Sequence, residues 1–219
     1  MSHAAIASYY DDSPLFVLGA MLPDFQGMLG IKPFAPRDAE LARGVRFHHE
    51  SDAAFHEAPA FLELTRTARA WLSQAGLSKG PRRAVAHIGV ELLLDPILVG
   101  QGGASDAYRA ALAAGAAAPA ELELQPAAMN RLVELVRALS VRANPELASD
   151  TVLLVRRIRR ALADRPSLAL DDASEALVMN WVVEARPSVV GCASDVVRQV
   201  LSTLDARGFY RAARGGSSA

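Results

Sequence analysis

Residues 82–98 read RRAVAHIGVELLLDPIL, an apolar run into which His87, Glu91 and Asp95 are set four residues apart. At about 100° per residue, each step of four drifts only ~40° around a helix. The three polar side chains therefore share one face of a helix whose other positions are nearly all apolar. Lys79-Gly80-Pro81 offers a start with proline near the first turn, and Gly100-Gln101-Gly102-Gly103 a stop. A helix this apolar belongs in a core. Burying two carboxylates there is costly unless each is paired, hydrogen-bonded or bound to a cation.

The same grammar extends outward in both directions. Helical spacing with Pro, Gly, Asn or Asp punctuation predicts helices over 12–28, ending or kinking near Pro23-Asp24, and over 37–56 and 61–77. Further helices are expected over 106–116, 126–141, 145–163, 171–184 and 187–204, while 30–36 reads as a loop. Alternation with period two never lasts beyond a few residues, so no strand is expected. The fold predicted is all-α, a single domain over residues 1–207 made of about eight helices, followed by a flexible tail at 208–219 that ends RAARGGSSA. The Ala-rich stretch 111–124 reads as a helix end and a tether.

Composition narrows the function classes. The 219 residues are 51% apolar, 21% charged and 6% aromatic, a balance that favours packed helices over β-sandwiches or disorder. With 23 basic and 24 acidic residues the net charge is −1, so no global field draws in nucleic acid or an anionic membrane. The longest apolar runs, 15–21 and 90–100, are broken by Gly19, Glu91, Asp95 and Pro96, and fall short of the ~20 residues of a membrane span. Cys192 stands alone, which excludes an intramolecular disulfide, and the opening MSHAAIASYYDDS lacks a basic start and an apolar run; a reducing, cytoplasmic setting is expected.

A second stripe lies in RFHHESDAAFH, where His48, Asp52 and His56 again stand four apart. Two stripes of imidazole and carboxylate on helices are a recurring way to present metal ligands in a bundle. His49 sits about 100° from His48 and is expected behind the ligands or facing a phosphate, and His3 is expected to be solvent-exposed. The alternative is structural: Glu91 and Asp95 would pair with Arg46, Arg82, Arg83 or Arg157, and His87 would be a satisfied core histidine. Mixed His and carboxylate ligands without thiolate suit Mn(II), Fe(II), Zn(II) or Mg(II), with the carboxylate share leaning to Mn(II). No phosphate-binding glycine loop and no nucleophile elbow is found. Between residues 131 and 165 eight arginines face four acids. Arg156 and Arg157 stand at helical spacing from Arg160, which would present guanidiniums to an acidic protein or a phosphate.

Three segments resemble a known family. Gly19-Ala-Met-Leu-Pro-Asp24-Phe25 is similar to G-N-x-L-x-D-F, and Gly44-Val-Arg-Phe-His48-His49-Glu-Ser-Asp52 to G-x-x-x-H-R-x-I-D. Glu91-Leu-Leu-Leu-Asp95-Pro96-Ile97-Leu98 is similar to D-x-x-x-D-H-x-L. All three belong to the acyl carrier protein phosphodiesterases, metal-dependent hydrolases with an HD-like helical fold. The resemblance covers about the first 100 residues, with His49, Glu91 and Pro96 as departures from the motifs. It implies that Asp24, His48, Asp52, Glu91 and Asp95 occupy metal-site positions and that the reaction removes the phosphopantetheine arm from acyl carrier protein; in the hydrolase reading Asp24 or His49 is expected to orient water or protonate the leaving oxygen. The metal set expected is thus Asp24, His48, Asp52, His56, His87, Glu91 and Asp95. Two alternatives stand beside it: a metal-dependent phosphohydrolase acting on a small phosphoester, a nucleotide or a phospholipid headgroup, and a non-catalytic helical binding protein.

Overall fold

The computed structural model describes residues 2–31, 35–100, 103–117, 122, 124–141 and 150–209. Their regular structure is helical: α1 (Ser2–Tyr10), α2 (Pro14–Gly19), α3 (Leu22–Leu29), α4 (Ala39–Glu57), α5 (Pro59–Gln74), α6 (Lys79–Val99), α7 (Ala104–Ala117), α8 (Pro126–Val141), α9 (Thr151–Leu162) and α10 (Asp172–Ala206), with a 3-10 turn at Pro166–Leu168. Among these residues the only β feature is an isolated bridge between Pro36 and Leu122. The fold class is therefore all-α, as the periodicity predicts. Among the described residues no single helix is long and apolar enough to cross a membrane. The expected tail beyond residue 209 and part of the Ala-rich tether lie outside the described residues, as do residues 145–149, and the helix expected over 145–163 begins at Thr151, with Asp150 as its extended cap.

Two sequence expectations need correction, and one helix goes unannounced in the sequence. The helix expected over 12–28 is two short helices broken at Ala20-Met21, and Pro23 sits in the opening turn of the second rather than ending the first. Proline is at home there, because the first turn has no partner for its missing N–H. The helices expected over 171–184 and 187–204 are one, with Pro187 inside. A proline interrupts a helix by leaving the carbonyl four residues back without a donor. Here that residue is Val183, which is exposed, so water can take the bond. The unannounced helix is α1, which lacks a polar face: Ser2, Ala4, Ala5, Ile6, Ala7 and Tyr10 are all buried. A nine-residue helix is marginal alone and is held by its packing.

The chain divides into two compact units: Met1–Ala54 with Leu98–Ala143 and Val200–Ala219, and Phe55–Ile97 with Asn144–Gln199. In the first, α7 packs on α1, α2 and α8. The fully buried side chains include Phe16, Leu18, Leu22, Leu41, Phe47 and Tyr108. Tyr10 ties α1 to the end of the chain, its hydroxyl donating to the Leu201 carbonyl at 3.1 Å and lying 2.8 Å from Asp205 Oδ1. Two glycines, Gly19 on α2 and Gly44 on α4, let these helices touch backbone to backbone: a Cβ at Gly44 would land on the Phe16 carbonyl oxygen and 2.8 Å from Gly19 Cα.

In the second unit, the buried side chains include Val85, Ala86, Val90, Leu93 and Leu94 of α6 together with Phe61, Leu72, Leu154, Ile158 and Trp181. Gly89 makes room for the Trp181 ring, whose Cη2 would stand 2.5 Å from an added Cβ. Asp150 caps α9, accepting from the Leu153 amide at 2.8 Å. Trp71 Nε1 donates to Glu184 at 2.7 Å and fastens α5 to α10.

Candidate metal centres

Among the described residues, two groups bring three potential ligand atoms within 4.8 Å of one another: His3, His48 and Asp52 in the first unit, and His56, His87 and Glu91 in the second. Each is two imidazoles and one carboxylate. The stripes seen in the sequence are thus each divided by the drift of the helix. On α4, His48 and Asp52 belong to one group and His56 to the other; on α6, His87 and Glu91 converge, while Asp95 lies two steps on, ~80° around from His87.

His48 is buried, and the close crossing of α2 on α4 brings the Ala20 carbonyl to 2.8 Å from its Nδ1. A carbonyl only accepts, so Nδ1 donates, and Nε2 is left as the nitrogen that could ligate. His3 is fixed in the same way. The Ser51 hydroxyl donates to the His48 carbonyl at 3.0 Å and so accepts from His3 Nδ1 at 3.1 Å. This leaves Nε2 of His3 pointing at Asp52, 3.6 Å from its Oδ1. The two rings lie against each other, centroids 4.1 Å apart. His3 is therefore not the exposed residue expected: its side chain is 15% exposed, whereas Asp52, at 44%, opens the group to solvent. No periodic signal marked His3; the signal available was its place in a short run of small residues able to pack tightly.

In the second group Glu91 Oε1 is 2.9 Å from His56 Nε2 and 3.2 Å from His87 Nε2. The two rings stand 4.7 Å apart, and Phe61 packs on both at 5.5 and 5.6 Å. Burial alone would raise the Glu91 carboxyl, but hydrogen bonds from His56 and His87, with their charges, outweigh it and hold the group down to about 2, from 4.5. A carboxyl lowered on folding adds stability above its unfolded value and loses it as pH falls toward the folded one. Chelator-treated protein should therefore lose stability as pH drops from about 4.5 to about 2, and Glu91→Gln should flatten that part of the curve; acid unfolding of the two proteins checks it.

The remaining expected residues fall outside both groups. Asp24 stands half-buried in the first turn of α3, and His49 is exposed, its ring edge-on to His48 at 5.4 Å. Asp95 is buried and faces Arg157, Nη2 to Oδ2 3.6 Å, the ion-pair arrangement weighed for this helix. Arg157 is thereby set apart from Arg156 and Arg160, which are exposed on α9. Comparison with protein-family models, curated proteins and solved structures finds no match to this chain.

Proposed function

We propose that the chain is a divalent-metal-dependent phosphodiester hydrolase whose ion is held by His3, His48 and Asp52. One observation carries the reading: two imidazoles and a carboxylate bring ligand atoms within 4.8 Å of one another, and the hydrogen bonds to Ala20 and Ser51 commit both Nδ1 atoms as donors, which leaves Nε2 of each ring for ligation. Donors of this kind, oriented by carbonyl and hydroxyl partners, are what a metal ligand set requires. Two imidazoles to one carboxylate suit Mn(II), Fe(II) or Zn(II) better than Mg(II), which prefers oxygen. Bound there, such an ion would polarise a phosphoryl oxygen and acidify water.

The chain's own groups supply the rest. Asp52, partly exposed, keeps the site reachable, while buried His48 fixes its inner wall. Asp24 and His49, on α3 and α4 of the same unit, are assigned the orienting of water and the protonation of the leaving oxygen. The three sequence motifs favour a phosphodiester such as the phosphopantetheine linkage of acyl carrier protein, and the exposed Arg156 and Arg160 suit an acidic partner of that kind.

The test is metal analysis of the purified protein joined to a screen of bis(4-nitrophenyl) phosphate and holo acyl carrier protein with Mn(II), Fe(II), Zn(II) and Mg(II). Hydrolysis that EDTA abolishes and Mn(II) restores is expected. No turnover of any phosphodiester with any of the four ions would overturn the reading.

A further inference from the structure

We propose that His56, His87 and Glu91 form a second binding site for a divalent transition ion, independent of the hydrolytic centre. The three residues come from two helices, the last turn of α4 and the middle of α6, so their meeting is a product of the fold rather than of one helix face. Ligands held ~2.1 Å from one ion stand roughly 3.0 Å apart at a right angle and roughly 3.4 Å apart at the tetrahedral angle. The observed separations of 2.9 and 3.2 Å from Glu91 Oε1 match those edges. Phe61 packs against both imidazoles, and Phe55 stands edge-on to His56 at 6.2 Å, so ring orientation is set by apolar contact.

Exchange with solvent is open. The three side chains are 34–39% exposed, enough for an ion to enter, yet the carboxylate is held in place by both rings. A ligating imidazole nitrogen must be free of its proton, so affinity falls as pH is lowered. The ligand chemistry is a borderline ion that accepts imidazole, Zn(II) or Mn(II), rather than Ca(II) or Mg(II). Joining α4 to α6, the ion clasps the second unit from within.

The experiment is Zn(II) titration of chelator-treated, full-length protein followed by calorimetry and elemental analysis, on wild type, His87→Ala, Glu91→Gln, Asp52→Asn and His87→Ala/Asp52→Asn. Two Zn(II) per chain are expected in wild type, one in each single variant and none in the double. Variants whose metal-free helical signal departs from wild type are set aside for a readout on wild type itself: protection of His56 and His87 from diethyl pyrocarbonate by saturating Zn(II), read by mass spectrometry. Undiminished Zn(II) binding in both His87→Ala and Glu91→Gln, or no protection of the two histidines, would overturn this site. The hydrolytic centre fails separately, when Asp52→Asn keeps every ion and His87→Ala loses one.

Discussion

Asp52→Asn is expected to weaken the ion of the first unit by more than ~100-fold and to remove phosphodiester turnover with it, since changes that only touch a ligand's hydrogen-bond partner already cost 10–100-fold. The side chain is 44% exposed, so the metal-free variant should melt within a degree or two of metal-free wild type. His48→Ala should lose the same ion and activity but behave differently without metal. It empties a buried position and strips the Ala20 carbonyl of its donor, a loss of roughly 1–3 kcal/mol for the unsatisfied group before any cavity term. The contrast separates a solvent-facing ligand from one that is also part of the core. Kinetics with Mn(II) and melting in EDTA, run on both variants, are the measurements. If either variant turns over the best phosphodiester at the wild-type rate, the ligand set is wrong.

What the sequence carried, and what it did not, follows from how each signal arises. Periodicity is a property of one helix, and it found α4, α6 and α8 to within about two residues and α5 to within three, because each has an apolar face with punctuation at its ends. It also found five of the six residues that converge in the two groups. What it could not do was decide which residues meet, because that depends on which helix lies opposite. His48 and His56 share a stripe in the sequence, but eight residues turn the face by ~80°, enough for each to join a different group. The same drift takes Asp95 inward to Arg157. His3 was invisible for another reason. Helix α1 buries six of its nine residues, so it has no polar face to give a period, and its stability is tertiary. Pro187 misled because a proline marks a helix end only when nothing else replaces the lost hydrogen bond.

Gly44→Ala should be the most damaging single methyl in the first unit. The added Cβ would fall on the Phe16 carbonyl oxygen and 2.8 Å from Gly19 Cα, both backbone atoms, so no rotamer can relieve the contact and α2 must move off α4. Overpacking against side chains commonly costs ~1–3 kcal/mol, and against backbone the loss should reach at least ~3 kcal/mol, a fall in melting temperature of roughly 6–12 °C for a chain of this size. The displacement has a chemical consequence as well. Ala20 follows Gly19 directly, and its carbonyl is what holds the proton on His48 Nδ1. As α2 retreats, that hydrogen bond lengthens, the tautomer that presents Nε2 is no longer enforced, and metal affinity should drop although no ligand has changed. Gly191→Ala is the control: the position is an exposed helix interior with open space around its Cβ, where alanine should stabilise by ~0.5–1 kcal/mol and leave the metal untouched. Thermal unfolding and Mn(II) affinity measured on both variants decide it. A Gly44→Ala protein as stable as wild type would mean that the two helices do not meet at these glycines.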